Sequence, residues 1–233
     1  MRCAWLVALR LALASALTSA PSLKDTRRFY DVVGRALDLL APFEDGARRR
    51  ALELGDAARA RRVVELGCGT GRTAAELLRN GGAVDAYTGV DASATMAALA
   101  RDRLAPFPRA RVERRDFLDG PLPAADAVVA FYVLDLLSAE DADAARGAAR
   151  AALAPSGGRF VAASIAFADG APASRAVMRT WAAVSARAPA LLGGCRPVPL
   201  IERFRSDAGW TVVAAEATSV LGYASEVVVA TPA

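Results

Sequence analysis

The stretch Val63-Val64-Glu65-Leu66-Gly67-Cys68-Gly69-Thr70-Gly71 (VVELGCGTG) decides the reading of this chain. Its first four residues are a short apolar run that suits a strand buried on both faces. Glycines at 67, 69 and 71 let the backbone turn sharply and approach a ligand with no Cβ in the way. The residues after Gly71 read as helix, so the unit is strand, tight turn, helix. A turn that binds nothing uses the same glycines, so the loop alone names no ligand.

Its neighbours narrow the choice. The dinucleotide fingerprint is G-x-G-x-x-G, with the helix N-terminus facing a pyrophosphate. Here the third glycine comes one residue early, and Glu65 stands just before the loop. An acid there repels a pyrophosphate and suits a ligand carrying cationic groups. The next predicted strand, 86–90, ends in Asp91. In a doubly wound sheet this carboxylate lies beside the glycine loop at the switch point, where it can accept hydrogen bonds from a ribose diol.

Working outward, short β-rich runs alternate with alanine-rich helical runs. Strands are predicted at 62–66, 86–90, 111–115, 127–131, 158–164, 210–216 and 226–230, with helices at 71–80, 94–104, 139–153 and 200–208. This alternation predicts an α/β fold, a doubly wound and mostly parallel seven-stranded sheet with helices on both faces. Residues 217–225 are too few for a helical crossover and predict an antiparallel return of the last strand. Upstream, 26–41 and 44–55 read as two helices broken at Pro42.

The chain has 233 residues, enough for one domain with a sizeable core, and its 54% hydrophobic content excludes a disordered chain. There is no histidine, which removes the usual general base, the usual metal ligand and every Ser-His or Cys-His nucleophile. Cys3, Cys68 and Cys195 are too scattered for a disulfide framework or a zinc site, and no metal is expected. The arginine runs at 48–50, 59–62 and 111–115 mix with acids and read as solvated faces, so no nucleic-acid partner is expected. Residues 1–20 contain no acid and end in small residues before Pro21, which reads as a removable targeting segment or as an apolar helix that stays attached. The domain plan is therefore a leader at 1–20, a helical cap at 21–55 and a main domain at 56–233 with a lid insertion at about 168–198. A leader of this kind implies an organellar or secretory destination, and without it a cytoplasmic one.

At this point the chain resembles a known family. VVELGCGTG is similar to motif I of class I S-adenosylmethionine-dependent methyltransferases, and YTGVDAS to the end of their second strand. VERRDFLDGPLP, ADAVVAFYVLDLL and ALAPSGGRFVAAS resemble their third-strand, fourth-strand and fifth-strand segments, so the resemblance runs over about 28–232. It implies strand order 3-2-1-4-5-7-6 and S-adenosylmethionine as cofactor. It further implies that Glu65 and the Gly67, Cys68, Gly69 and Gly71 backbone hold the methionine moiety. Asp91, with Ala92 and Ser93 beside it, would take the ribose. Met96, Asp116 and Phe117 would take the adenine, and Phe131 with Tyr132 would stand beside the sulfonium.

The upstream FYDVVGRAL resembles the cap of small-molecule and lipid methyltransferases, which makes Tyr30 a lid candidate. The C-terminal part resembles some phospholipid and quinone methyltransferases, so a small-molecule or lipid acceptor is implied, with at most peripheral membrane contact. Many members carry His or Asn near the end of strand four, where this chain offers Asp135. With no imidazole present, Tyr132 and Asp135 are the catalytic candidates, under a lid of 29–40 and 168–194 that contains Trp181. A nicotinamide- or flavin-binding oxidoreductase and a catalytically silent binding protein on the same sheet remain as alternatives.

Overall fold

The structure, a computed structural model, describes residues 23–79, 82–153, 155–167 and 172–233. The leader at 1–20 and the first four residues of the expected lid lie outside the described residues.

Seven strands form one sheet in the order β3-β2-β1-β4-β5-β7-β6. They are β1 Arg62–Leu66, β2 Ala86–Asp91, β3 Ala110–Arg114, β4 Ala127–Phe131, β5 Arg159–Ile165, β6 Trp210–Val220 and β7 Tyr223–Pro232. β1 to β5 pair in parallel, and β7 inserts antiparallel between β5 and β6. The chain order reverses between β1 and β4, which run side by side. A crevice therefore opens beyond their C-terminal ends, where ligands bind in such sheets.

Alternate residues of each strand go to opposite faces. Val64, Leu66, Val128, Ala130 and Phe160 pack on one side under α5 (Ala139–Leu153) and α7 (Leu200–Arg205). Val63, Val129, Phe131, Val161 and Val229 pack on the other, under α2 (Ala41–Leu54), α3 (Arg72–Arg79) and α4 (Ala94–Leu104). Both faces are thus dry, which is why the strands read as continuous apolar runs.

Three expectations are corrected. The segment 217–225 is not a connection. β6 and β7 extend until only Leu221 and Gly222 separate them, both in the left-handed region (φ 50° and 89°). That is the backbone of a tight two-residue hairpin, whose twist matches the flanking strands. Pro42 does not break a helix but opens α2, at a position where a missing N–H costs nothing. Before it, α1 (Leu23–Val33) ends at Gly34 (φ 50°), and the chain continues as a 3-10 turn over Gly34–Leu40.

The expected lid region contains α6 (Pro172–Arg187) and a 3-10 turn at Pro189–Leu192. Ser174 Oγ on α6 donates to Gly222 O at 3.1 Å, holding the helix to the hairpin turn. Among the described residues no helix is long and apolar enough to cross a membrane.

Candidate active site

A cavity of about 370 Å³ lies at the C-terminal ends of the parallel strands, within the range of small-molecule sites. Tyr30, Glu65, Gly67, Cys68, Gly69, Asp91, Ala92, Ser93, Met96, Asp116, Phe117, Phe131, Tyr132 and Asp135 all line it. Gly71 does not. Its N–H donates to Cys68 O at 2.9 Å, and a Cβ there would lie 3.1 Å from Ala100 Cα, so this glycine lets α4 approach the loop. Gly67 (φ 62°) has a Val133 methyl where its Cβ would be, 2.7 Å away.

The glycine loop is tied to the end of β2. Asp91 accepts from Gly69 N–H at 2.8 Å through one oxygen and from Ser93 N–H at 2.9 Å through the other. Each oxygen keeps a further lone pair, and burial pushes the carboxyl up to about 6. Glu65 is 2% exposed and accepts from the Tyr87 hydroxyl at 2.5 Å. Burial raises its carboxyl to about 7, against the pull of Tyr87, Thr73 and the Arg48 charge.

Arg48 corrects another expectation. It is 6% exposed rather than on a solvated face, because Glu76 (2.5 Å) and Asp45 (3.2 Å) accept from its Nη2. Its Nη1 is buried without a partner, and the residue lines the cavity. Cys68 packs beside Gly89, and burial pushes its thiol well up, which disfavours the thiolate.

The cap is strapped to the loops after β3, β2 and β1 in turn. Arg27 donates to Asp116, whose other oxygen accepts from Leu118 N–H at 3.0 Å. Asp31 accepts from Ser93 Oγ at 2.5 Å and from Thr95 N–H at 3.1 Å. Asp38 accepts from Thr70 Oγ1 (2.7 Å) and Arg103 Nη2 (2.6 Å). Burial works against the Asp38 charge, but these two partners outweigh it and hold the carboxyl below its ordinary value.

The far end of the cavity is aromatic and acidic. Tyr223 sits between Trp181 (ring centroids 5.6 Å apart), Phe43 (6.0 Å) and Tyr132 (6.3 Å). Tyr132 follows β4 with φ 52°, an uncommon conformation for a residue with a side chain. It is held there by its N–H to Ala163 O (2.8 Å) and its hydroxyl to Ser225 Oγ (2.9 Å). Backbone strain of this kind clusters at functional sites.

Asp135 is 0% exposed. Its Oδ1 accepts from Ser164 Oγ at 3.4 Å, and its Oδ2 has no partner. Burial raises its carboxyl to about 7. Glu44, on α2, is raised to about 8 by burial and then by the Asp135 charge. The Tyr30 hydroxyl lies 3.5 Å from Cys195 Sγ, and burial raises both groups.

Sequence reasoning missed Arg48, Glu44, Cys195 and Tyr223. Only the first two share a signal: Glu44 and Arg48 are four apart on one helix and so share a face. Among the described residues no cluster could hold a metal ion.

Residues 63–157 match the sequence model of the methyltransferase-domain family. Solved structures share the fold. The N-methyltransferase NodS of Bradyrhizobium japonicum WM9, solved with S-adenosyl-L-homocysteine, superposes with TM-score 0.61 at 17% identity, over 79% of this chain and 85% of that one. The magnesium protoporphyrin IX methyltransferase of Synechocystis PCC 6803 gives 0.59 at 16%, over 96% and 100%. The [4+2]-cyclase SpnF gives 0.69 at 19%, over 93% and 98%. No curated protein matches the sequence.

Strand order, the antiparallel β7 and the loop at the switch point define a class I methyltransferase fold. Residues 63–157, its motif-bearing segment, match a methyltransferase domain, and the chain is similar in fold to methyltransferases solved with S-adenosyl-L-homocysteine.

Proposed function

We propose that the cavity binds S-adenosylmethionine and that the protein transfers its methyl group to a small-molecule or lipid-like acceptor. One observation carries this reading. Glu65, a buried acid, and Arg48, a buried guanidinium with an unpartnered N–H, line one cavity beside the glycine loop. The methionine moiety carries an ammonium, a carboxylate and a sulfonium, so it suits both groups. A pyrophosphate suits only one of them, which disfavours a dinucleotide.

Asp91 would take the ribose hydroxyls on its remaining lone pairs. Met96, Phe117 and Asp116 would take the adenine, with Asp116 exchanging its Arg27 contact for the amino group. The backbone of Gly67, Cys68 and Gly69 would follow the methionine moiety, and Ala92 and Ser93 would flank the ribose. Phe131 would border the sulfonium and Tyr30 would close over it. α1 with its 3-10 turn, and α6 with the turn after it, would form the lid.

When bound, the cofactor supplies a methyl carbon already activated by positive sulfur, which departs as a neutral thioether when the acceptor's lone pair forms the new bond. The protein's share is alignment and exclusion of water, and alignment alone can be worth about 7–11 kcal/mol. Tyr132 keeps its proton, because burial pushes the hydroxyl far up, so it would position rather than deprotonate. Asp135, its carboxyl raised to about 7 by burial, can take a proton near neutral pH.

One structural neighbour is named as a [4+2]-cyclase, so the fold alone does not set the reaction. Purified protein with cofactor tritiated in its methyl group, offered lipids, quinones and small amines, tests the reading. Label moving into one fraction is expected. Cofactor binding without transfer to any fraction would leave a binding protein.

A further inference from the structure

We propose that the acceptor is an amine, held as its ammonium between Glu44 and Asp135 in an aromatic recess and deprotonated there by one of these carboxylates. The inference rests on the methyltransferase reading and names the substrate class of that same site.

Among the described residues neither of the two acids in the recess has a salt bridge, and only the more distant charges of Arg72 and Arg196 act on them. Asp135 is fully buried, lines the cavity and leaves Oδ2 without a hydrogen-bond partner. A buried unpaired carboxylate oxygen is costly unless a ligand supplies a donor or a charge. Glu44 lines the same space, and burial, then the Asp135 charge, raise its carboxyl against the pull of Arg72 and a hydrogen bond with Tyr223.

The surroundings offer little compensation. Tyr30, Tyr132, Tyr223 and Cys195 are all pushed up by burial and stay neutral. The Arg196 charge acts on Asp135, yet its guanidinium donates to the Leu137 carbonyl, and Arg72, whose charge acts on Glu44, is paired with Asp45. Arg48 is engaged by Glu76 and Asp45. An ammonium is what this pair lacks. The ring faces around Tyr223 add the attraction of π-systems for a cation.

The same arrangement disfavours the other acceptor classes. A carboxylate or phenolate would bring negative charge beside two acids and oppose their ionisation. A neutral alcohol would bring no positive charge to either acid. Trp181 Nε1 is also buried without a partner, so the ligand should carry a hydrogen-bond acceptor away from its amine.

The proton step balances. The ammonium N–H bond breaks, its electron pair stays on nitrogen as the lone pair the reaction needs, and the proton joins the carboxylate. Two opposite charges become two neutral groups, which a low-dielectric recess favours. Burial already brings both carboxyls to about 7 and about 8, where they can take a proton at neutral pH.

The test is calorimetry on the full chain without cofactor, using tyramine, its alcohol counterpart tyrosol and its acid counterpart phloretic acid. Tyramine should bind at least about tenfold tighter than either, as a charge-assisted pair requires. Titrations in buffers of different ionisation enthalpy near neutral pH should show protons released as tyramine binds, because protonated carboxyls must ionise to hold it. Asp135→Asn, close in shape, and Glu44→Gln should each weaken tyramine by about tenfold or more and abolish part of that release.

Both variants should bind S-adenosylmethionine like the parent, which separates this proposal from the cofactor reading. Tighter binding of tyrosol or phloretic acid, no amine binding, or unchanged tyramine affinity in both variants would overturn the amine assignment while leaving the cofactor site intact. If S-adenosylmethionine itself fails to bind the parent chain, the methyltransferase reading fails and this proposal with it.

Discussion

The two ends of the cavity are built differently. The proposed cofactor end is made by short consecutive segments: the loop after β1, the end of β2 at Asp91 and the end of β3 at Asp116. Each is fixed by its own strand, and Asp91 is clamped by two backbone N–H groups. The proposed acceptor end is assembled from α1, α2, the residues after β4, α6 and the β6–β7 hairpin, from Tyr30 to Tyr223. It is held by side chains, with Tyr132 on Ser225 and Tyr30 beside Cys195. The first end can be rigid and generic. The second can change with one helix or one hairpin, as specificity for different acceptors demands.

Substitutions that break the cofactor end should have the largest effects. Asp91→Ala removes the clamp and the proposed ribose acceptor. Charge-assisted hydrogen bonds of about 1.5–3 kcal/mol are lost, so cofactor affinity should fall by about 10- to 100-fold. Unchanged affinity by calorimetry would remove Asp91 from the site. Gly67→Ala places a Cβ 2.7 Å from Val133 at φ 62°. It should cost about 1–3 kcal/mol of stability, seen as an earlier urea midpoint, and an unshifted midpoint would mean the loop can relax.

The acids that line both ends make a pH comparison. Asp91, Glu65, Asp135 and Glu44 all have folded values raised above their ordinary ones, to about 6, 7, 7 and 8. The folded state therefore binds more protons than the unfolded one across that interval, and stability must fall as pH rises. Without ligand, the thermal midpoint should drop from about pH 5 to about pH 8. S-adenosylmethionine, which brings positive charge, should recover part of the loss at the upper end. A midpoint that rises over the same interval would contradict the buried charge of the cavity.

The smallest effect belongs to the strap between the regions. Arg27 is 40% exposed in its ion pair with Asp116. Arg27→Ala should cost less than about 1 kcal/mol and should not lower cofactor affinity, since it frees Asp116. A clear loss of affinity would place Arg27 itself on the ligand.

The same division explains what could be read from sequence. Strand–loop–helix units show in local pattern, so β1, its glycine loop and Asp91 are legible within one continuous segment. Residues 217–225 (ATSVLGYAS) lack a clean apolar alternation, so a two-residue hairpin at Leu221-Gly222 looked like a longer connection. Arg48 stands in a run of three arginines, where nothing local separates the buried one from its exposed neighbours. Glu44 and Tyr223 acquire their roles only when α2 and β7 meet over the sheet.

Calorimetric titration of the purified chain with S-adenosylmethionine, set against NADH under the same conditions, tests the central claim most directly. The glycine loop, Glu65 and Arg48 require saturable binding of S-adenosylmethionine and much weaker binding of NADH. NADH binding more tightly, or no binding of S-adenosylmethionine at all, would contradict the assignment.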